Sequence, residues 1–248
     1  MWISRRGLTA CGGGHNLDAV FPATRWTLIF AAREDPEARR AALETLLATY
    51  WKPVYFYVRR KGLSVEAAED ATQGLFLHVL EHDLFARADP ARGRFRSYLL
   101  TSLDHYLVNQ HERGAAVKRG GRVKIVALDT GVAERDLAAA PDDPGRAFDR
   151  EWATGILDRA LARLRREYEE GRRKGPADVF LSFFRMDAAP SYAEAAAACG
   201  LTTVQFKAAL HRARERFREI LREEVAPTVS DDAAADDEMR ALLQALSA

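Results

Sequence analysis

The chain has 248 residues, of which 48% are hydrophobic and 29% are charged, and its formal net charge is +1. That apolar fraction is ample for a folded core and excludes a chain that is disordered throughout. No run of about 18–20 consecutive apolar residues occurs, so we expect no membrane span. The two cysteines, Cys11 and Cys199, are too few for a disulfide framework or a four-cysteine zinc site, which favours a reducing, cytoplasmic compartment.

The first twenty residues are predicted to form a disordered leader. They contain three consecutive glycines, and Arg5-Arg6 precedes Leu8–Gly12, a stretch that resembles a lipoprotein or twin-arginine signal. Both signals need an apolar segment of about 7–15 residues after the charges. Only Gly7 to Ala10 intervene here. We therefore predict a leader over residues 1–20, with a targeting signal as the alternative.

Helical periodicity dominates the rest of the chain, and strand alternation is nearly absent. In the N-terminal part we predict helices at residues 35–60, 64–81 and 95–113. Pro53 is expected to kink or restart the first helix and Gly62 to end it. Ser64 is placed to cap the second helix. These helices form a predicted domain that spans residues 21–113.

Scattered glycine and proline predict a flexible linker over residues 114–147, in which only Val123–Leu128 suits a strand. The C-terminal block is helical again, with helices predicted from about residue 148, at 177–186, at 192–200 and at 203–224. The sequence therefore predicts an all-α fold of two small helical domains, residues 21–113 and 148–227, joined by the linker.

The clearest local pattern lies between residues 190 and 224. Ser191-Tyr192-Ala193-Glu194 has the pattern of a capping box, and Gly200 lies in a turn before a long amphipathic helix. Such an arrangement is typical of a helix-turn-helix, whose second helix enters the major groove of DNA. The apolar side of that helix is predicted to comprise Leu201, Val204, Phe206, Leu210, Phe217 and Leu221.

The polar sides of the long helix carry candidate contacts to base edges and phosphates. These candidates are Thr203, Gln205, Lys207, His211, Arg212 and Arg214, with Arg216 and Arg218 further along. An ordinary helical hairpin with a solvated basic face is the alternative.

A second cationic region lies between residues 86 and 125, where basic side chains far outnumber acidic ones. It mixes cations, aromatic rings and short polar groups, which suit phosphates, base stacking and base edges of single-stranded DNA. The candidate contacts are Arg92, Arg94, Phe95, Arg96, Tyr98, His105 and Asn109. The alternative is a solvated charged face over an aromatic core.

No catalytic site is evident. His78 and His82 have a spacing that suits zinc, but the sequence offers no third ligand. A P-loop, a Gly-x-Ser-x-Gly motif and a Cys/His constellation are absent from the sequence. We expect no catalytic residue, no metal and no cofactor.

Three stretches, residues 69–76, 93–99 and 191–214, occur in an order that resembles the extracytoplasmic-function (ECF) type of sigma factor, a sigma-70-family subunit of bacterial RNA polymerase. The resemblance runs from about Ala23 to the end of the chain. The first stretch is similar to the family's polymerase-docking helix, with Gly74 where an acid is usual. The implied docking residues are Glu69, Asp70, Gln73 and Phe76.

The second and third stretches resemble the parts of the family that read the minus-ten and minus-thirty-five promoter elements. The resemblance implies a factor that binds core RNA polymerase, through the clamp of the largest subunit and the flap of the second, and directs promoter recognition and melting. Its other partners would be duplex and single-stranded promoter DNA, with an anti-sigma factor as a candidate regulator and no membrane. A stand-alone helix-turn-helix regulator and a metal-dependent nucleic-acid enzyme are the alternatives.

Acidic residues are concentrated in two further segments, the linker and the C-terminal tail. The acids of the linker, Asp136, Asp142 and Asp143, are expected from the resemblance to thread into polymerase. The tail, residues 228–248, has five acids and then Met239, Leu242, Leu243 and Leu246 at helical spacing. It is either a disordered extension, or a helix that docks on the protein and shields a basic DNA-binding face until polymerase binds.

Overall fold

A computed structural model describes residues 36–81, 94–114, 128–184, 189–226, 229 and 232–247. Every regular element in these ranges is a helix, which confirms the predicted all-α class. The helices are α1 (Pro36–Arg60), α2 (Val65–Glu81), α3 (Phe95–Gly114), α4 (Thr130–Leu137), α5 (Pro144–Glu169), α6 (Ala177–Leu181), α7 (Tyr192–Ala198), α8 (Thr203–Val225) and α9 (Asp232–Ser247). The predicted leader lies outside these ranges.

Local sequence signals account for several helix ends. Ser64 Oγ accepts a hydrogen bond from the Ala67 N–H at 3.3 Å, as predicted for the cap of α2. Gly62 follows α1 with a φ of +92°, a left-handed conformation that favours glycine. Pro53 lies inside α1, so that helix does not restart there.

The core forms where α1 packs along α5. The rings of Tyr50 and Phe148 stack with their centroids 6.4 Å apart. Phe95, at the start of α3, meets Tyr50 at 5.5 Å, and Trp152 of α5 is almost fully buried beside them. Because each aromatic side chain removes about 150–250 Å² from water, this cluster fixes α1, α3 and α5 to one another. Helices from both predicted domains therefore meet in one apolar core.

The other end of α5 packs against α6 and α8. The rings of Tyr168, Phe180 and Phe206 stack in succession, with centroid separations of 5.1 and 5.3 Å. Ion pairs continue this contact along α5 and α8, where Arg159 meets Glu224 at 3.0 Å and Glu167 meets Arg216 at 2.8 Å. The result is a continuous α5–α8 interface.

The region predicted as a flexible linker contains a helix, α4, whose Ala133 and Leu137 are buried. Glu134 accepts hydrogen bonds from Arg59 Nε at 2.7 Å and from the Tyr55 hydroxyl at 2.6 Å. An eight-residue helix is marginal in isolation, so α4 depends on its contact with α1 and gives only a weak sequence signal. The candidate strand at residues 123–128 lies almost entirely outside the described residues.

The acids of this region have partners within the chain. Asp136 pairs with Lys52 at 2.8 Å, and Asp142 pairs with Arg60 at 3.2 Å. Asp143 accepts a hydrogen bond from the Arg146 N–H at 2.8 Å and caps α5, which begins at Pro144 rather than near residue 148. Asp136 and Asp142 therefore pair with cations of α1, whereas Asp143 forms a local cap of α5.

Residues 232–247 of the tail form helix α9, which docks on the protein, and the shielding of a DNA-binding face stays a prediction. Helix α9 packs against α5 and α8, with Ala235 and Leu242 buried. Within the described ranges, no helix combines the length and apolar character that crossing a bilayer requires.

The Glu134 contacts predict an acid-sensitive link between α4 and α1. The hydrogen bond from Arg59 is the largest influence and lowers the pKa of Glu134 to about 2, against burial, which raises it. Because this pKa is lowered on folding, the stabilisation is complete above the usual glutamate pKa of 4.5 and is lost as the pH falls towards 2. We expect Glu134→Gln to lower the free energy of unfolding at pH 7 by about 1.5–3 kcal/mol. In the variant, that free energy should also depend less on pH between about 2 and 4.5.

Urea denaturation of the full chain at pH 7 and pH 3 measures both effects. Glu44→Gln is the matched control, because Glu44 forms an exposed pair with Arg40 and should contribute less than about 1 kcal/mol. Equal losses in the two variants would contradict the assigned role of Glu134.

Candidate nucleic-acid interface

The long helix α8 presents a row of polar and cationic side chains to solvent. Thr203, Lys207, His211, Arg214 and Arg218 are all exposed, and their spacing of three or four residues places them on one side of the helix. We call this row the α8 stripe. The opposite side is buried and consists of Phe206, Leu210, Ala213 and Phe217.

Two capping boxes fix the helices on either side of the turn before the α8 stripe. Ser191 Oγ accepts a hydrogen bond from the Glu194 N–H at 3.3 Å, and the Ser191 N–H donates to Glu194 Oε2 at 2.9 Å, which confirms the predicted cap of α7. Gly200 adopts a φ of +64° in the turn. Thr202 and Gln205 repeat the reciprocal cap at the start of α8.

The second cap gives Gln205 a structural role beside its predicted one. Its Oε1 accepts hydrogen bonds from the Thr202 N–H and hydroxyl, both at 3.0 Å. The Thr-x-x-Gln spacing that produces this cap is readable in the sequence, although the sequence analysis assigned Gln205 to DNA contact alone. The start of α8 is therefore held in a defined orientation.

Neighbouring side chains position individual members of the α8 stripe. Lys207 Nζ lies 5.2 Å from the centroid of the Tyr192 ring, a cation–π contact between α7 and α8. His211 Nε2 is 3.2 Å from Glu215 Oε1. Arg212 is exposed on the flank of the stripe.

Two predictions for α8 differ from the structure. Val204 was assigned to the apolar core but is 78% exposed, because it lies one residue from the exposed Thr203 and two from the buried Phe206. Arg216 belongs to the interface with α5, where it pairs with Glu167, and its pairs with Glu219 and Glu223 lie at 2.9 and 3.1 Å. It is therefore part of the scaffold behind the stripe.

Glu167 connects that scaffold. It is buried and contacts Arg216 at 2.8 Å and Arg173 at 3.1 Å. The hydrogen bond from Arg216, followed by that from Arg173, keeps the pKa of Glu167 below its usual value although burial opposes this. The charged carboxylate thus holds α8 against α5.

The candidate residues for single-stranded DNA fall into two groups. Tyr98, His105 and Asn109 share one side of α3, where His105 and Asn109 are exposed and Tyr98 is half-buried. Phe95 and Arg96 are buried, the first in the aromatic core described above. Arg92 lies outside the described residues.

Arg94 and Arg96 meet at a carboxylate that the sequence analysis did not single out. Glu238 Oε2 is 2.9 Å from Arg94 Nε and 3.2 Å from an amino nitrogen of Arg96. Arg96 also pairs with Asp149 at 3.2 Å, and its guanidinium lies 4.3 Å from the centroid of the Trp152 ring. The sequence contains one signal for this pairing, namely a glutamate between Ala235 and Leu242 on the apolar side of α9.

The candidate polymerase-docking residues are divided by burial. Asp70 and Gln73 are partly exposed on α2, whereas Phe76 is fully buried in the core. Glu69 is partly exposed and accepts a hydrogen bond from the Thr130 hydroxyl at 2.8 Å. A Cβ atom at Gly74 would overlap the Tyr106 hydroxyl, so a larger residue there requires the Tyr106 side chain to shift.

Only one of the two histidines of the zinc alternative lies within the described residues. The His78 ring lies 5.5 Å from the Tyr106 ring, and His82 falls outside the described residues. Among the residues that the structure does describe, no group of three or more His, Cys, Asp or Glu side chains is arranged to hold a metal ion.

Comparison of the chain with family models, with curated proteins and with solved structures finds no match.

Proposed function

We propose that the chain is a sigma-type initiation factor, which binds core RNA polymerase and directs it to promoters. The observation that carries this proposal is the α8 stripe, displayed beside a turn whose two flanking helices are both capped. This arrangement fits a helix-turn-helix whose second helix enters the major groove of the minus-thirty-five element. The proposed domain that contains it spans residues 148–227.

The start of α8 would read bases, and the stripe would contact phosphates. Thr203 and the exposed Val204 lie at the end of the helix that points into the groove, where a hydroxyl can bond a base edge and a methyl group can contact thymine. Lys207, Arg214 and Arg218 follow as cations for the backbone. Each well-formed bidentate base contact discriminates by about 1–3 kcal/mol.

A second surface would hold the melted strand. Tyr98, His105 and Asn109 form a partly aromatic, hydrogen-bonding side of α3, and Arg94 and Arg96 lie at its start. Stacking of about 1–3 kcal/mol per base would offset part of the cost of extracting a base from the duplex. The proposed domain that contains this surface spans residues 21–113.

Polymerase would bring the two surfaces to one promoter. The near-neutral net charge of the chain limits its affinity for free DNA, so two weak contacts become selective only when both are tethered to the same complex. Asp70 and Gln73 are partly exposed on the proposed docking helix, as is Glu69, which accepts a hydrogen bond from the Thr130 hydroxyl. In this role the chain acts in the cytoplasm with polymerase and promoter DNA as partners, and it makes or breaks no bond.

Removal of two docking side chains, Asp70 and Gln73, tests the proposed contact with polymerase. We expect Asp70→Ala combined with Gln73→Ala to weaken association with core RNA polymerase about tenfold or more, because polar contacts at the clamp are lost. Pull-down with core polymerase measures association, and circular dichroism verifies the fold. Glu44→Ala, an exposed acid on α1, is the control and should bind like the unaltered chain.

Association of the double variant at the level of the unaltered chain would refute the assigned docking face. If the unaltered chain ignores polymerase and instead binds an inverted-repeat site as a dimer, the stand-alone regulator is correct.

Loss of cations from α8 tests the proposed duplex contact. We expect Arg212→Ala combined with Arg214→Ala to lower the promoter affinity of the polymerase complex about tenfold. The slope of log affinity against log salt concentration should also become less steep, by the amount that corresponds to about one to two phosphate contacts. Fluorescence anisotropy at several salt concentrations measures both effects. Arg172→Ala combined with Lys174→Ala removes the same charge from exposed positions between α5 and α6 and is the matched control. Equal losses in the two double variants would show that only net charge matters.

A further inference from the structure

Helix α9 carries a carboxylate in the middle of its apolar side. Ala235, Glu238 and Leu242 have the three- and four-residue spacing of one helix face, and each of them is at most 1% exposed. A glutamate is almost never fully buried unless a charge partner compensates it. Glu238 therefore marks the place on the protein that α9 recognises.

The partners of Glu238 are the two arginines proposed to contact the melted strand. Glu238 lies within 3.2 Å of both Arg94 and Arg96, and the Asp237 carbonyl approaches an amino nitrogen of Arg94 at 3.5 Å. In this state the Arg96 side chain is only 7% exposed. Helix α9 thus occupies the anion-binding side of these two guanidinium groups.

The ion pairs of Glu238 with Arg94 and Arg96 have poor hydrogen-bond geometry. Among the described residues, neither carboxylate oxygen of Glu238 has a hydrogen bond of good geometry, although both arginines lie at ion-pair distance. Burial raises the pKa of Glu238, Arg96 and then Arg94 oppose that rise, and Asp149 adds to it. Because a buried ion pair stabilises little when its geometry is poor, the Glu238 pairing adds little to the apolar packing of α9, and a better anion can replace it at the two arginines.

A second acid of α9 pairs with a cation on another helix. Asp236 and Asp237 are exposed; Asp236 pairs with Arg222 of α8, whereas Asp237 pairs with Arg240 of α9 itself. Carboxylates spaced along one helix therefore meet cations from α8 and from the segment that begins α3. A phosphodiester backbone presents the same kind of repeated negative charge to basic side chains.

We propose that the backbone of single-stranded DNA and helix α9 compete for one site, formed by Arg94 and Arg96, and that Glu238 occupies the phosphate position when the tail is docked. This inference rests on the proposed function for the identity of the polynucleotide. The docked chain is the form with low affinity. Undocking of α9 removes Glu238 from Arg94 and Arg96, while Asp149 stays beside Arg96 and the α8 stripe is unchanged. The tail is thereby a built-in competitor of the strand that the N-terminal surface would bind.

Two adjacent leucines provide a test in which net charge changes equally. Leu242 is 1% exposed, whereas Leu243 is 58% exposed. Leu242→Asp buries an unpaired charge and should release α9, and Leu243→Asp should leave it docked. Both variants add one negative charge, so any general electrostatic effect weakens DNA binding in both. Limited proteolysis between α8 and α9 reports release, and circular dichroism reports the fold of the remainder.

Binding to a labelled single-stranded oligonucleotide of about 12 nucleotides, measured by anisotropy at about 50 mM salt without polymerase, is the readout. We expect Leu242→Asp to raise affinity about tenfold and Leu243→Asp to leave it unchanged or slightly lower. Arg94→Gln added to Leu242→Asp should remove most of the gain. A chain that ends at residue 231 should match Leu242→Asp, because it lacks α9 altogether.

Unchanged affinity in both the released variant and the truncated chain would overturn the competition. That outcome leaves the proposed function standing, because association with polymerase and duplex binding are measured independently. Conversely, a gain in single-strand affinity in a chain that fails to bind polymerase would support competition at the Arg94–Arg96 site and refute the initiation role.

Discussion

The packing of α5 determines where every other described surface lies. This helix has 26 residues, about 39 Å at 1.5 Å per residue, and it contacts α1 through Tyr50 and Phe148 and α8 through Glu167 and Arg216. Its length lets two groups of helices pack on one element. Helix α8, which carries the stripe, and helix α1, against which Phe95 of α3 packs, therefore share α5 as a packing partner, and α9 lies against the same helix. Loss of the α5 contacts would detach all three.

The sequence predicts the parts of the fold that depend on local patterns. The helical class, the caps at Ser64 and Ser191 and the exposed cations of α8 all follow from spacing within a few residues. Local spacing does not predict the burial of a residue at the border between two helix faces, such as the exposed Val204. It also does not predict a short helix whose stability depends on a partner distant in sequence, as that of α4 depends on Arg59. Neither the Arg59–Glu134 pair nor the contact of α1 with α5 has a local signature.

In the candidate site, too, the features that depend on local spacing are readable from the sequence, and the contacts between distant residues are not. A helix face such as the α8 stripe is readable because its two sides differ in polarity along 23 residues. The pairing of Arg94 and Arg96 with Glu238 joins positions more than a hundred residues apart, and only the fold brings them together. The sequence identifies these arginines as cations available to DNA, whereas the structure shows them occupied. The distinction matters physically, since a paired, buried guanidinium cannot bind a phosphate until its partner leaves.

The proposed role requires that this chain give a polymerase its choice of start site. Run-off transcription by core RNA polymerase on a library of promoter fragments measures that choice, with the full chain and with the chain that ends at residue 231 added in parallel. We expect transcripts from a defined set of fragments that core enzyme alone does not produce, with both chains. Transcription that neither chain redirects would contradict it.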